Sequence, residues 1–243
     1  MAQLKAFKYR LYPTRAQEKR LRVCLDAARN WYNMCVAERK YAWDLEGRSV
    51  GKFEQLRLVK RYKMAFRKFS EVHSHILQVA TTDCDKAFSA FFRRAKAGET
   101  PGYPRFKGYH HFDSFGFKEN GNGFKINGRR LRVSGIGRIP IRWHRPLEGE
   151  IKTLRIVRKA DKWHAVFTCE VQVKPLPATG REVGIDVGIH HLLATSDGEF
   201  VENPKWYRAS ERKLRVVQRR VARRKKGGSN RRKSVLQLQR QHE

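Results

Sequence analysis

The chain has 243 residues, with 54 Lys and Arg against 23 Asp and Glu, a formal net charge of +31. A surplus of that size cannot be neutralised within the fold, so the protein must present a positive field whose natural partner is a polyanion. Mean hydropathy is −0.72, no apolar run reaches the ~18 residues that span a bilayer, and the charged, alternating start is no signal peptide; the expectation is a cytoplasmic, nucleoid-associated protein with neither a membrane nor a small-molecule substrate as partner.

Residues 4–11 alternate, with Phe7, Tyr9 and Leu11 on one side and Lys8 and Arg10 on the other, which predicts a half-buried strand. Pro13 ends it, and Thr14-Arg-Ala-Gln17 forms a capping box that opens a helix running to about Trp43. A loop follows over 47–51, then a shorter helix over 52–68 and another over 74–96, the last with Leu77, Ala80, Cys84, Phe88 and Phe91 on one face. These helices are expected to make a small bundle. Beyond Gly98 the texture changes: short alternating stretches near 112–118, 123–126, 129–133, 136–142, 151–158 and 163–173 are separated by glycine-rich turns. That rhythm predicts a small antiparallel barrel or sandwich, which the opening strand joins, so that the bundle is an insertion. Residues 174–180 read as a linker. A strand over 182–188, a hairpin of 191–195 with 199–201, a helix begun by Asn203-Pro204, a break at 227–230 and a second helix from Arg231 complete the pattern. The overall class is α+β and multidomain. Cys24, Cys35, Cys84 and Cys169 sit on apolar positions and none has a partner at zinc-finger spacing, so buried reduced thiols are expected and no zinc site is visible.

Three constellations could carry chemistry. In Val183-Gly-Ile-Asp186-Val-Gly188 an aspartate sits between β-formers and glycines. Aspartate is depleted in strands, and a buried carboxylate is costly without a cation, so a metal ligand is one reading; an aspartate capping a turn at a strand end is the other. From Lys205 to Arg240 the only acid is Glu211. Like charges spaced i, i+4 destabilise a helix, so the tract, with Arg212, Arg215, Arg219, Arg220, Arg223, Arg224, Arg231 and Arg232, reads as a phosphate contact that orders on its partner. In the segment Pro101-Gly-Tyr-Pro-Arg-Phe-Lys107, continued by Tyr109, His110, His111 and Phe112, aromatics alternate with Arg105 and Lys107. Such a loop can stack bases and hold phosphates of a single strand, or its rings can fold back onto the barrel. His73, His75, His190 and His191 lack partners at ligand spacing and read as ordinary core or surface histidines.

These pieces, in this order, resemble the TnpB (OrfB) family of transposon-encoded RNA-guided nucleases, relatives of the type V CRISPR effectors. The resemblance rests on Phe7 to Gln17, Ala28-Arg-Asn-Trp-Tyr-Asn33, Pro101 to Lys107, Val183 to Gly188 and Gly228 to Lys233, and it covers essentially the whole chain. It implies a wedge-like barrel from 1–13 and 100–174, a helical recognition lobe over 14–99, and the start of an RNase H-like (RuvC) domain over 181–243. It implies guide RNA and target DNA as partners, Mg²⁺ as cofactor, and Asp186 as first catalytic carboxylate and metal ligand. The family's later Glu and Asp motifs and its paired Cys-x-x-Cys zinc element have no counterpart here, so the expectation is a truncated, N-terminal part, nuclease-incompetent by itself. Two alternatives accompany it: a nuclease-dead guided repressor, and an unguided DNA-binding transposition protein.

Overall fold

Thr14 and Gln17 show how directly the sequence sets the first turn. In a computed structural model, which describes residues 2–173, 177 and 179–242, the Thr14 hydroxyl accepts from the Gln17 amide at 3.3 Å, and the Gln17 side chain accepts from the Thr14 amide at 3.0 Å. Two of the orphan donors at the helix start are thereby satisfied. Helix α1 then runs Arg15–Glu46, and Gly47, in the left-handed region at φ 61°, closes it. The chain divides into two compact units, Met1–Val173 and Lys174–Glu243. Of the linker expected over 174–180, residues 174–176 and 178 lie outside the described residues.

In the first unit, strand β1 (Ala2–Leu11) precedes α1, and α2 (Lys52–Ala65), the short α3 (Arg67–Ser70) and α4 (Ser74–Lys96) follow it. The expected single helix over 52–68 is interrupted: Phe66 leaves helical geometry at φ −127°, ψ 117°. Its ring stacks on Tyr62 and meets Phe69 edge-on, so ring packing replaces one helical turn. The bundle core is Leu21, Leu25, Ala28, Trp31 and Cys35 of α1 against Ile76, Leu77, Ala80 and Cys84 of α4. Two buried polar features hold the helices in register. The Trp31 indole donates to Thr81 Oγ1 at 2.8 Å. Gln55, fully buried on α2, donates to the Cys35 carbonyl and Glu38 and accepts from Arg39, whose other arm reaches Asp85 at 3.0 Å. Each partner is satisfied, the condition under which such a network adds specificity rather than cost.

Strands β2 (Ser114–Phe117), β3 (Phe124–Asn127), β4 (Arg130–Val133), β5 (Gly137–Arg142), β6 (Glu150–Lys159) and β7 (Lys162–Gln172) form an antiparallel sheet with β1, in the order β2-β6-β7-β1-β5-β4-β3. Alternation puts Phe7, Tyr9 and Leu11 inside with Leu154, Ile156, Ala165 and Phe167, all essentially inaccessible to solvent. The sheet curls until its two end strands approach: the Phe117 ring of β2 lies 5.9 Å from that of Phe124 of β3. The result is a nearly closed, barrel-like sheet, which leaves little exposed edge. One close approach demands glycine. At Gly149 (φ 76°) a Cβ would stand 2.2 Å from the Glu170 carbonyl oxygen.

In the second unit, β8 (Ile185–Asp186), β9 (His191–Thr195) and β10 (Phe200–Glu202) form a small sheet in the order β10-β9-β8, followed by α5 (Trp206–Arg223) and α6 (Ser229–Gln241). Strand β8 is shorter than the seven residues of alternating texture led one to expect, because only Ile185 and Asp186 pair with β9. Helix α5 begins two residues later than expected. Asn203 caps a turn, accepting from the Lys205 amide at 3.0 Å, and its amide group bonds the Ile189 carbonyl, tying the helix start to the loop after β8. The four cysteines are free and buried. Among the described residues no helix is long and apolar enough to cross a membrane.

Candidate nucleic-acid interface

The basic tract forms a helical hairpin. Leu214, Val217 and Val221 are the half-buried apolar positions of α5, which packs against α6. Three arginines expected to hold phosphate instead build the hairpin. Arg231 donates to the carbonyls of Val221 and Arg224 at 2.6 and 3.2 Å, Arg232 donates to Gly227, and Arg220 bonds Gln237 at 3.1 Å. The cations thus neutralise the carbonyl end of α5, where a positive charge is favourable. Arg215 pairs with Glu211 at 2.7 Å, in an exposed bridge that contributes little. Arg212, Arg219, Arg223 and Arg224 are exposed, which leaves their guanidinium groups turned to solvent. Sequence spacing could not separate the hairpin-building arginines from the outward ones, because both follow one helical pattern.

The aromatic loop divides in the same way. Tyr103 folds back between Phe88 and Phe91, edge-on to both at 5.5 and 5.4 Å, and Phe112 lies 6.0 Å from Tyr32. Phe106 stays 55% exposed beside exposed Arg105. The loop's last residue is held by Asn33, which bonds both main-chain groups of Lys107. No local pattern signals that contact, which joins residues 74 positions apart. The side chain of His110 lies outside the described residues.

Asp186 is exposed at the end of β8, opposite Ala194, so the cost of a buried carboxylate does not arise. Its strand is anchored next door: Ser196 accepts from the Gly184 amide at 2.9 Å, and the Ser196 amide donates back to the Gly184 carbonyl at 2.8 Å. Among the described residues no three His, Cys, Asp or Glu side chains gather as a metal-holding group. The donor set therefore does not fit the magnesium centre implied by resemblance. Val183, Ile185, Val187 and Ile189 around Asp186 are all at least half exposed, as are Trp206 and Tyr207 at the start of α5. His191 stacks obliquely on Phe200 at 4.9 Å, and His73 and His75 sit at the start of α4 in the first unit.

Two family models match the chain. Residues 166–243 match the OrfB model described as "Probable transposase", and residues 1–48 match the helix-turn-helix model of the same OrfB group. The chain belongs to the OrfB (TnpB) family. Along its full length it is 36% identical to a protein of Streptomyces pristinaespiralis and 26% identical to InsQ of Escherichia coli K12, both named as RNA-guided DNA endonucleases. It spans 60% of the length of each of these curated relatives. Among solved structures, a Cas12f1–sgRNA–target DNA complex is similar at TM-score 0.40 and 10% identity, covering 98% of this chain and 65% of that one. A CRISPR–Cas12f ternary complex is similar at TM-score 0.43 and 12% identity, covering 93% and 57%. At those values neither fixes any detail of this OrfB chain. The helix-turn-helix description does not fit the geometry: described residues 2–48 are β1 and the single uninterrupted helix α1.

Proposed function

We propose that this OrfB chain is the guide-RNA-holding part of a transposon-associated RNA-guided DNA endonuclease. The observation that supports the reading most is the hairpin of α5 and α6, in which four outward guanidinium groups, those of Arg212, Arg219, Arg223 and Arg224, project from a helical pair built to carry them. A solvated face of this kind has no stability reason to lack acids, whereas a phosphate contact has every reason. In this reading residues 2–13 and 100–173 act as the wedge-like barrel, 14–99 as the recognition lobe, and 181–242 as the start of an RNase H-like domain. Asp186 is the carboxylate that such a domain would contribute to its metal, together with further carboxylates that these residues do not supply. Guide RNA and target DNA are the partners, with Arg105 and Lys107 flanking Phe106 as a further contact to a single strand.

The competing reading is an unguided DNA-binding transposition protein. The test is capture of DNA. The chain carrying the RNA with which it co-purifies should retain a DNA strand complementary to that RNA and release a scrambled one of equal length. Equal retention of both strands would contradict guided recognition.

A further inference from the structure

One imidazole joins the first turn of α4 to the segment 118–123 between β2 and β3. His73 is the N-cap of α4, and its Nδ1 accepts from the His75 amide at 3.2 Å. Its other nitrogen, Nε2, lies 3.2 Å from Oδ1 of Asn122. A main-chain amide can only donate, so Nδ1 must keep its lone pair, and the neutral ring carries its hydrogen on Nε2. Asn122 is turned to accept it, since its Nδ2 donates to Glu119 Oε1 at 2.8 Å. The same carboxylate oxygen stands 3.7 Å from Nε2 of His75, whose own Nδ1 is buried without a partner. The segment is also pressed onto the ring: at Gly123 (φ 94°) a Cβ would stand 2.6 Å from the Phe117 ring and 3.0 Å from the His73 ring. Residues 118–123 link the two end strands where the sheet nearly closes, so this contact holds the bundle to the closing seam of the barrel.

The arrangement tolerates only the neutral ring. With Nε2 already carrying hydrogen, a further proton can enter His73 only at Nδ1, where two donors would then face each other and the helix would lose its cap. The charge would also sit at a helix N-terminus, where the macrodipole disfavours it, and no acid occupies the first turn of α4. The surroundings point the same way. Burial holds His73 below the usual histidine value; the Asn122 bond opposes this, Lys63 of α2 adds to it, and Glu119 opposes it. Lys63 is fixed at this corner, donating to the Val72 carbonyl at 2.7 Å and to Ser74 Oγ at 3.1 Å. His75 is held down by burial and by His73, pulled up by Glu119, pushed down by Lys118 and pulled up by the Asn122 main chain.

We propose that His73 is a proton-sensitive clasp between the bundle and the barrel. Neutral, it caps α4 and fastens segment 118–123; protonated, it leaves its seat, uncaps the helix and frees the segment. The sign follows from linkage: the open form binds the proton better, so opening is unaffected above about pH 6.5, the ordinary histidine value, and grows as pH falls below it.

The experiment is hydrogen exchange of the full-length protein at pH 7.5, 6.5 and 5.5, corrected for the intrinsic pH dependence of exchange. Protection of residues 114–127 and of the first turn of α4 should be level from pH 7.5 to 6.5. It should then fall severalfold by pH 5.5, up to about tenfold for one linked proton, while β6 and β7 keep theirs. H73N retains a capping oxygen but cannot titrate, so its protection should not change with pH; H75Q should keep the fall. A fall that persists in H73N, or that vanishes in H75Q alone, would overturn the assignment to His73. Protection that rises on acidification would mean that the Glu119–His75 pair tightens the segment instead, and a loss shared equally by β6 and β7 would mean global unfolding; either overturns the clasp. A second measurement needs no variant: the ring nitrogen shifts of His73 at pH 7.5 should show hydrogen on Nε2 and a bare Nδ1, and the opposite tautomer would contradict the proposal.

Discussion

Asn33 of α1 grips the main chain of Lys107, 74 positions away, through both ends of its amide: Nδ2 donates to the Lys107 carbonyl at 3.0 Å, and Oδ1 accepts from the Lys107 amide at 2.8 Å. A primary amide can imitate a neighbouring strand in this way, offering one donor and one acceptor at matched spacing. The contact fixes the end of the loop that presents Arg105 and Phe106.

Asn33→Ala is expected to leave the partly buried Lys107 amide and carbonyl without partners. The cost should be about 1–3 kcal/mol, a fall in Tm of roughly 3–10 °C for a unit of this size. Protease cleavage should move into residues 101–108. An unchanged Tm and an unchanged cleavage pattern would show that the loop is held by Tyr103 packing instead.

The turn between β2 and β3 meets the bundle at a pair of histidines. His73 and His75 rings lie 4.7 Å apart, His73 bonds Asn122 at 3.2 Å, and Glu119 stands 3.7 Å from His75. Burial lowers both pKa values; at His73 the Asn122 hydrogen bond opposes it and Lys63 adds to it, and at His75 the neighbouring His73 adds to it while Glu119 opposes it. Depressed folded pKa values mean that the unfolded chain binds protons first as pH falls. Stability of the first unit should therefore be level above about pH 6.5 and decline below it as the histidines are forced to charge. In His73→Gln/His75→Gln the decline between pH 6.5 and 5 should shrink, read by urea midpoints. An identical decline would assign it to carboxylates.

Burial pushes the thiols of Cys24, Cys35 and Cys84 up to about 12 and raises that of Cys169 as well. Thiolate is the reactive form. None of the four should react with a thiol reagent at pH 8 in the native protein, and all four should react together once urea unfolds it. Rapid labelling of a single cysteine under native conditions would contradict the packing of its element.

Much of the first unit was legible in the sequence because its patterns are enforced by a closed core. Phe7, Tyr9 and Leu11 alternate because the barrel is apolar inside, and Thr14 with Gln17 is a capping box by local chemistry alone. The break at Phe66 was not legible, since the Tyr62, Phe66 and Phe69 spacing fits an unbroken helix as well as the interrupted one. The division of the basic tract was hidden for a similar reason: Arg231 and Arg219 differ only in what lies beside them. At Asp186 the motif was visible, but its exposure on a two-residue strand was not.

A polypeptide of these 243 residues should not cut DNA at a useful rate. One exposed carboxylate holds Mg²⁺ weakly, because the ion keeps most of its waters and needs further oxygen ligands, and it cannot clamp both the attacking and the leaving oxygen. With RNA, matching target and Mg²⁺, the unaltered chain and Asp186→Ala are expected to be equally inactive and to bind RNA equally. Target-specific cutting that disappears in Asp186→Ala would mean that the remaining carboxylates reach the site from another chain.

The most direct test is the identity of the nucleic acid that the chain holds. Purified from its host through a moderate-salt wash, the protein should carry one discrete, structured RNA species, seen as a single band and recovered as a single sequence family, and Arg212→Gln/Arg219→Gln/Arg223→Gln should lower its yield. Recovery of duplex DNA without RNA, or of RNA fragments of unrelated sequence, would contradict the account.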